Sequence, residues 1–299
     1  MEIKKLLCAA LAAAMTVSTA SAFAATEDPV QFSTVDEMNG RVYVAQYSDP
    51  QQGGYFRGAD ITIESIPRPA LKFSSTQFCC YGNRFYYMDN DFWSGPSKIY
   101  SCDANGYDEI LIADNASSGT AAFIVDNNLY YTAYSSIWDW DDGLYDREYY
   151  GGIYKINLST GDWQRVVSDN NALMRFCDGD YIYYEIIYTS RSNDITDYYK
   201  IDTNGNYCSY ANYYDDEFAY NSYSYNLRSY MLTGQKIYFI DNTNTLYSRT
   251  RNGGALKQLK KIEPGSFGSD IVKVTKRHIY YITRWWGDSF VWLYRTDRN

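Results

Sequence analysis

A short aromatic motif recurs six times along this chain: an apolar residue, then one or two tyrosines, inside a run of strand-forming residues. The copies begin at Val42-Tyr43-Val44, Phe85-Tyr86-Tyr87, Leu129-Tyr130-Tyr131, Ile182-Tyr183-Tyr184, Ile237-Tyr238-Phe239 and Ile279-Tyr280-Tyr281. Successive anchor tyrosines lie 43, 44, 53, 55 and 42 residues apart. A unit of that size, filled with short strands, cannot bury both of its faces alone. Units arranged around an axis can, each sheet covering the next. The spacing predicts an all-β fold, a six-bladed β-propeller of four-stranded blades, formed as one domain by residues 25–299.

The third copy shows the unit most plainly. Ala122-Phe123-Ile124-Val125 reads as a first strand and Asp126-Asn127-Asn128 as a tight turn. Leu129 to Tyr134 is the second strand, Gly152 to Asn157 the third and Trp163 to Val167 the fourth. Strands apolar or aromatic on both alternating faces suit sheets covered on both sides. The turns between third and fourth strands repeat as Asp103-Ala104-Asn105-Gly106, Asp202-Thr203-Asn204-Gly205 and Arg251-Asn252-Gly253-Gly254. Asn-Gly supplies the positive φ angles that a short hairpin needs. The 34 tyrosines fit the same picture, since their rings favour strands and half-wet surfaces.

The N-terminus reads as a targeting segment. Lys4 and Lys5 precede an apolar run from Leu6 to Val17, and Ala22-Phe23-Ala24 offers a small-residue cleavage pattern. That run is too short for a membrane span, so residues 1–24 are expected to be a secretory signal peptide. The expectation is an extracellular protein, secreted by a bacterium, with no membrane association after cleavage. A net charge of −9 argues against nucleic acid or an anionic membrane as partner. After cleavage five cysteines remain, too odd a number for a full disulfide framework. Cys80 and Cys177 fall at a repeat position held elsewhere by Ile124, Leu232 and Val274, so they are expected to pack as small apolar residues.

Ile-Tyr-Tyr strands, the Leu-Tyr-Lys-Ile type of third strand and Asp-x-x-Gly turns resemble secreted bacterial propellers of the DUF5050 type. Those are in turn similar to the YWTD propellers of low-density-lipoprotein-receptor-related proteins. The resemblance covers residues 30–299 and implies a six-bladed extracellular propeller used for binding. Here tyrosine stands where Tyr-Trp-Thr-Asp has tryptophan, and the Asp is mostly absent, so YWTD ligand contacts do not carry over.

Five of the seven tryptophans fall in connections between second and third strands: Trp93, Trp138, Trp140, Trp285 and Trp286. Tyr47, Tyr55 and Phe56 are expected in the first such connection, and Tyr145 lies in the third. A convergent aromatic set on one end of a disc suggests a binding surface. Trp93, Trp138, Trp140, Tyr145, Trp285 and Trp286 are therefore the candidate ligand contacts. The ligand is expected to be an extracellular glycan or a peptide or protein, because sugar rings and peptides both stack on such platforms. The protein is expected to act as a monomer without cofactor.

Signs of catalysis are sparse. His278 is the single histidine, at a register position that predicts a surface side chain, and a Ser-His-Asp triad or His-rich metal centre needs more. In the acidic loop Asp139 to Glu148 the glycine does not fall at the sixth place of an EF-hand loop and no acidic residue takes the twelfth, so no metal is expected. The alternative is a carboxylate-dependent glycan hydrolase or lyase using two of Asp89, Asp139, Asp141 and Asp288. One further expectation concerns ring closure. The last repeat is a strand short, and residues 29–36 are expected to pair beside residues 290–296, sealing an open edge.

Overall fold

The computed structural model describes residues 28–45, 55–66, 77–89, 96–117, 120–136, 148–189, 194–206, 208–210, 229–250, 254–263, 268–284 and 290–298. The described residues are all-β, with no helix. The chain enters as β1 (Val30–Gln31), then forms the hairpin β2 (Val35–Met38) and β3 (Arg41–Val44), followed by β4 (Tyr55–Gly58) and β5 (Ile63–Ser65). A meander follows: β6 (Gln77–Tyr81), β7 (Arg84–Asp89), β8 (Ser97–Asp103) and β9 (Ile110–Ala116). The next is β10 (Ala122–Val125), β11 (Asn128–Ser136), β12 (Glu148–Asn157) and β13 (Trp163–Val167). Then come β14 (Ala172–Cys177), β15 (Tyr181–Thr189), β16 (Asp194–Asp202) and β17 (Cys208–Tyr210). After them lie β18 (Ser229–Thr233), β19 (Lys236–Ile240), β20 (Thr245–Thr250) and β21 (Lys257–Lys261). The chain ends in β22 (Gly268–Val274), β23 (His278–Arg284) and β24 (Phe290–Asp297). Within each meander the pairing is antiparallel between chain neighbours.

The core is not one mass but a set of apolar slabs between successive sheets. Tyr43 and Met38 pack against Phe78 and Phe85. Tyr86 and Met88 pack against Ile124 and Leu129. Phe123 and Tyr130 pack against Met174 and Ile182, and Leu232 of β18 leans on the same slab. Tyr238 and Ile240 pack against Ile271 and Ile279. The ring closes where Val35, Val42 and Val44 meet Tyr280, Ile282 and Leu293. Sheets stacked in this cyclic order, each starting with its inner strand, are the arrangement of a β-propeller.

The Tyr-Tyr pairs explain why tyrosine is so frequent. Neighbouring residues of a strand face opposite ways. Tyr86, Tyr130 and Tyr280 therefore enter the slab on one side of their sheet. Tyr87, Tyr131 and Tyr281 enter the slab on the other. In the five motifs with a second ring, that ring also stacks on an aromatic ring directly across the sheet, on the third strand. Tyr87–Tyr100, Tyr131–Tyr154, Tyr184–Tyr199, Phe239–Tyr247 and Tyr281–Tyr294 have ring centroids 5.3–5.9 Å apart, in the same register each time. Such cross-strand aromatic pairs each contribute roughly 0.5–1.5 kcal/mol beyond area burial.

Turn chemistry is as expected at the described hairpins, while Arg251-Asn252-Gly253 lies outside the described residues. Asn39 and Gly40 take φ of 53° and 77°, and Asp126 and Asn127 take 45° and 61°, giving the two left-handed residues of a tight hairpin. Between third and fourth strands an aspartate organises the turn. The Asp103 carboxylate accepts the N–H groups of Asn105 and Tyr107, at 2.9 and 2.8 Å. Asp202 does the same for Asn204 and Asn206, at 2.9 and 3.0 Å. Cys79, Cys102 and Cys177 are buried free thiols and Cys80 is half-buried, consistent with packing roles. Burial pushes all four thiols well above their ordinary range, Cys102 to about 11, so they stay protonated.

Closure differs from expectation. The strand beside β24 is β4, running parallel, with Phe290 opposite Tyr55 and Leu293 opposite Gly58. Tyr55 and Phe56 thus lie in a strand and not in a loop, and Phe56 packs on the closing slab. The segment expected there goes elsewhere. Val30 and Gln31 pair with Ile124 and Phe123 of β10, and Ser33 bridges to Phe78 of β6. The reason lies in its polar groups. The Ser33 hydroxyl donates to the carbonyl of Val272, and Asp28, Asp36 and Glu37 each find a basic partner on the last repeat. These bonds hold residues 28–38 against inner strands and leave the edge of β24 to the more apolar Tyr55-Phe56.

Candidate functional site

The tight turns between first and second strands converge. Residues of five of them, at Asn39-Gly40, Gly82, Asn127, Thr233 and Lys276-Arg277, line a single cavity of about 820 Å³. The chain's entry at Asp28, Pro29 and Val30 forms part of its wall. Second strands start at this end of the ring and run away from it, so β7, β11 and β23 finish at the opposite end.

A polar seam between the first and last repeats forms one side of the cavity. At its base Lys273 Nζ lies 2.8 Å from Asp36 Oδ2, with both side chains almost fully buried. Lys273 also donates to the Gln31 carbonyl. The Asp36 carboxylate accepts two backbone N–H bonds, from Cys80 at 2.9 Å and Glu37 at 2.8 Å. Burial raises its proton affinity, while Lys273 and the two N–H groups pull the other way.

Above that pair sits Glu37. It accepts from the Tyr280 hydroxyl at 2.5 Å and the Thr275 hydroxyl at 3.2 Å, and contacts His278 Nδ1 at 2.8 Å. Burial alone would raise the Glu37 carboxyl, but the bonds from Tyr280 and His278, the His278 charge and Thr275 together hold it below its ordinary value. His278 is therefore no surface side chain: it is about four-fifths buried, at 21 % exposed. Its register position is exposed in Arg41 and Lys236 and half-buried in Arg84, Asn128 and Tyr181, and here it borders the seam. On the far side Arg298 ties the C-terminal end to the entry. Its guanidinium donates to Tyr238 Oη at 2.7 Å, to Asp28 Oδ2 at 2.6 Å and to the Thr275 carbonyl at 3.1 Å.

Glu37 is anionic and saturated by donors, and Asp36 is sealed beneath it. Among the described residues no group of three or more His, Cys, Asp or Glu side chains gathers to hold a metal. The candidate ligand contacts Trp93, Trp138, Trp140, Tyr145, Trp285 and Trp286 lie outside the described residues, as do the carboxylates Asp139, Asp141 and Asp288. Asp89 is described, as the last residue of β7. Sequence reasoning missed the seam altogether. Its partners are separated by up to 270 residues, and each reads locally as an ordinary strand-end charge.

No family model matches this chain, and no curated protein sequence matches it. Solved structures overlap it loosely. The β-propeller domain of the Trilobed protease from Pyrococcus furiosus is 11% identical, with 73% of this chain and 77% of that one covered and a TM-score of 0.33. The oligogalacturonate lyase of Vibrio parahaemolyticus is 8% identical, at TM-score 0.34, and the match spans 73% of this chain but only 61% of the lyase. The AfRom2 CNH domain is 11% identical, covering 88% of this chain and 93% of that one, at TM-score 0.29. No activity carries across at these levels. The class of the protein, a β-propeller, rests on its own strand pairing and slab order.

Proposed function

We propose that residues 25–299 form a secreted, monomeric, six-bladed propeller of four-stranded blades. In this reading it is a non-enzymatic module that binds an extracellular glycan or a peptide or protein through the aromatic loops on one rim. Relation to the DUF5050-type and YWTD propellers belongs to the same reading and rests on the motif. The six hairpin units and the closed order of slabs favour six blades.

One observation carries the binding reading. Five tight turns meet at one end of the ring, and the second strands beginning there run toward the other, which supports a common end for the connections that follow them. Those connections hold the five loop tryptophans. Aromatic loops collected on one rim offer stacking faces to sugar or peptide, and acidic and amide side chains among them supply hydrogen bonds. The test is an array of extracellular glycans and peptides probed with residues 25–299, repeated with the Trp140→Ala/Trp285→Ala double variant. Two lost stacking contacts of about 0.5–1.5 kcal/mol each weaken binding about tenfold or more if both rings touch ligand. A variant that keeps wild-type affinity for an identified ligand refutes the reading.

A further inference from the structure

We infer that the cavity at the tight-turn end is a second binding site, and that its ligand is a small organic anion carrying a carboxylate, such as a sugar acid or a simple polycarboxylate. This inference is independent of the aromatic rim proposed above.

The charge balance of the cavity departs from that of the chain. The protein carries −9, yet among the described residues five fixed cations and three carboxylates line the cavity. The carboxylates are already spent: Asp36 on Lys273, Asp28 on Arg298, and Glu37 on Tyr280, His278 and Thr275. Arg277 and Arg295 are cations those acids do not neutralise, and both are exposed. Among the described residues the Arg277 guanidinium has neither ion pair nor hydrogen bond. Arg295 stands beside the Tyr280 hydroxyl. The other acid near His278, Asp297, sits 3.8 Å from Nε2 and is 86% exposed, so water screens it.

Two arginines at the mouth of a concave site suit a planar anion, because a guanidinium fork matches a carboxylate in bidentate geometry. The volume, about 820 Å³, is that of a small-molecule pocket, and Val30, Val274 and Tyr81 give it apolar wall. The cavity also spans the ring seam, with walls from the first and last repeats. A ligand held there bridges the seam, so binding should appear as stabilisation of the folded ring.

The experiment uses residues 25–299 with glucuronate and citrate as probes, glucose as the neutral control, and sodium chloride and sulfate at matched ionic strength. Melting temperature and calorimetric titration are measured for wild type, Arg277→Gln/Arg295→Gln and Trp140→Ala/Trp285→Ala. At least one carboxylate should raise the melting temperature above the chloride and glucose controls. Its affinity should fall at least tenfold in the arginine variant and stay unchanged in the tryptophan variant. Because both arginines are exposed, the unliganded arginine variant should melt as wild type does. Equal carboxylate affinity in wild type and the arginine variant overturns the inference. So does a shift no larger than that from chloride, or one produced by sulfate and by neither carboxylate.

Discussion

Replacing Lys273 by Met should destabilise the protein more than any other single change at the seam. Lys273 Nζ and Asp36 Oδ2 are 2.8 Å apart, with side-chain exposures of 3% and 4%. At an effective dielectric of about 20 their attraction is about 6 kcal/mol, most of which offsets the desolvation of the two ions. The intact pair is thus close to neutral for stability, but the half-pair is not. Lys273→Met leaves a buried carboxylate with only two N–H donors, and breaking a buried pair in this way costs about 3–5 kcal/mol. For a chain of this length that lowers the melting temperature by roughly 6–20 °C. Asp36→Asn/Lys273→Met keeps an acceptor for the Cys80 and Glu37 N–H groups and removes the stranded charge, so it should cost less than the single change. The cost of Lys273→Met should also shrink as pH falls, because protonating Asp36 removes the unpaired charge. Urea melts of the three proteins at neutral and acidic pH measure all of this. A single variant within about 1 kcal/mol of wild type, or a double variant weaker than the single, would show that the pair does not hold the seam.

Glu37 has its pKa lowered in the fold, so its contribution is present above its unfolded value of 4.5 and is lost as pH falls through the folded value. Glu37→Gln should flatten that acid limb of stability, read from melting temperature between neutral and acidic pH; an unchanged slope would discount the Tyr280–His278 cluster. Gly234 takes φ of 52°, and a Cβ there would meet Asp28 Oδ1 at 2.3 Å. Gly234→Ala should therefore cost about 1 kcal/mol or more in a urea melt, and a stabilised variant would contradict the placement of Asp28. Tyr281→Leu should cost more than Tyr281→Phe, because only Phe keeps the stack on Tyr294 at 5.3 Å. Equal chemical-denaturation midpoints would mean that the stack adds nothing beyond burial.

Much of this ring was legible because its signal is local. Each anchor tyrosine sits on a second strand, where the pleat forces the next residue to the opposite slab, so the motif repeats with the sheets. Asn39-Gly40 and Asp202 likewise act within a few residues of themselves. What the chain hid is non-local. Tyr55-Phe56 looks like loop aromatics until the open edge of β24 takes it up. Asp36, Glu37, Lys273 and His278 look like surface charges until the ring closes and buries them together. The cavity could not be foreseen either, since its wall is made of turns from five repeats that no local pattern links.

The tight turns and the cavity lie at one end of the ring, and the tryptophan loops are proposed to lie at the other. A crystal structure of residues 25–299 tests that most directly. It should show six blades, with the indoles of Trp93, Trp138, Trp140, Trp285 and Trp286 gathered on the end opposite Asn39-Gly40 and some of them open to solvent. Five or seven blades, indoles divided between the two ends, or all of them buried between sheets would contradict it.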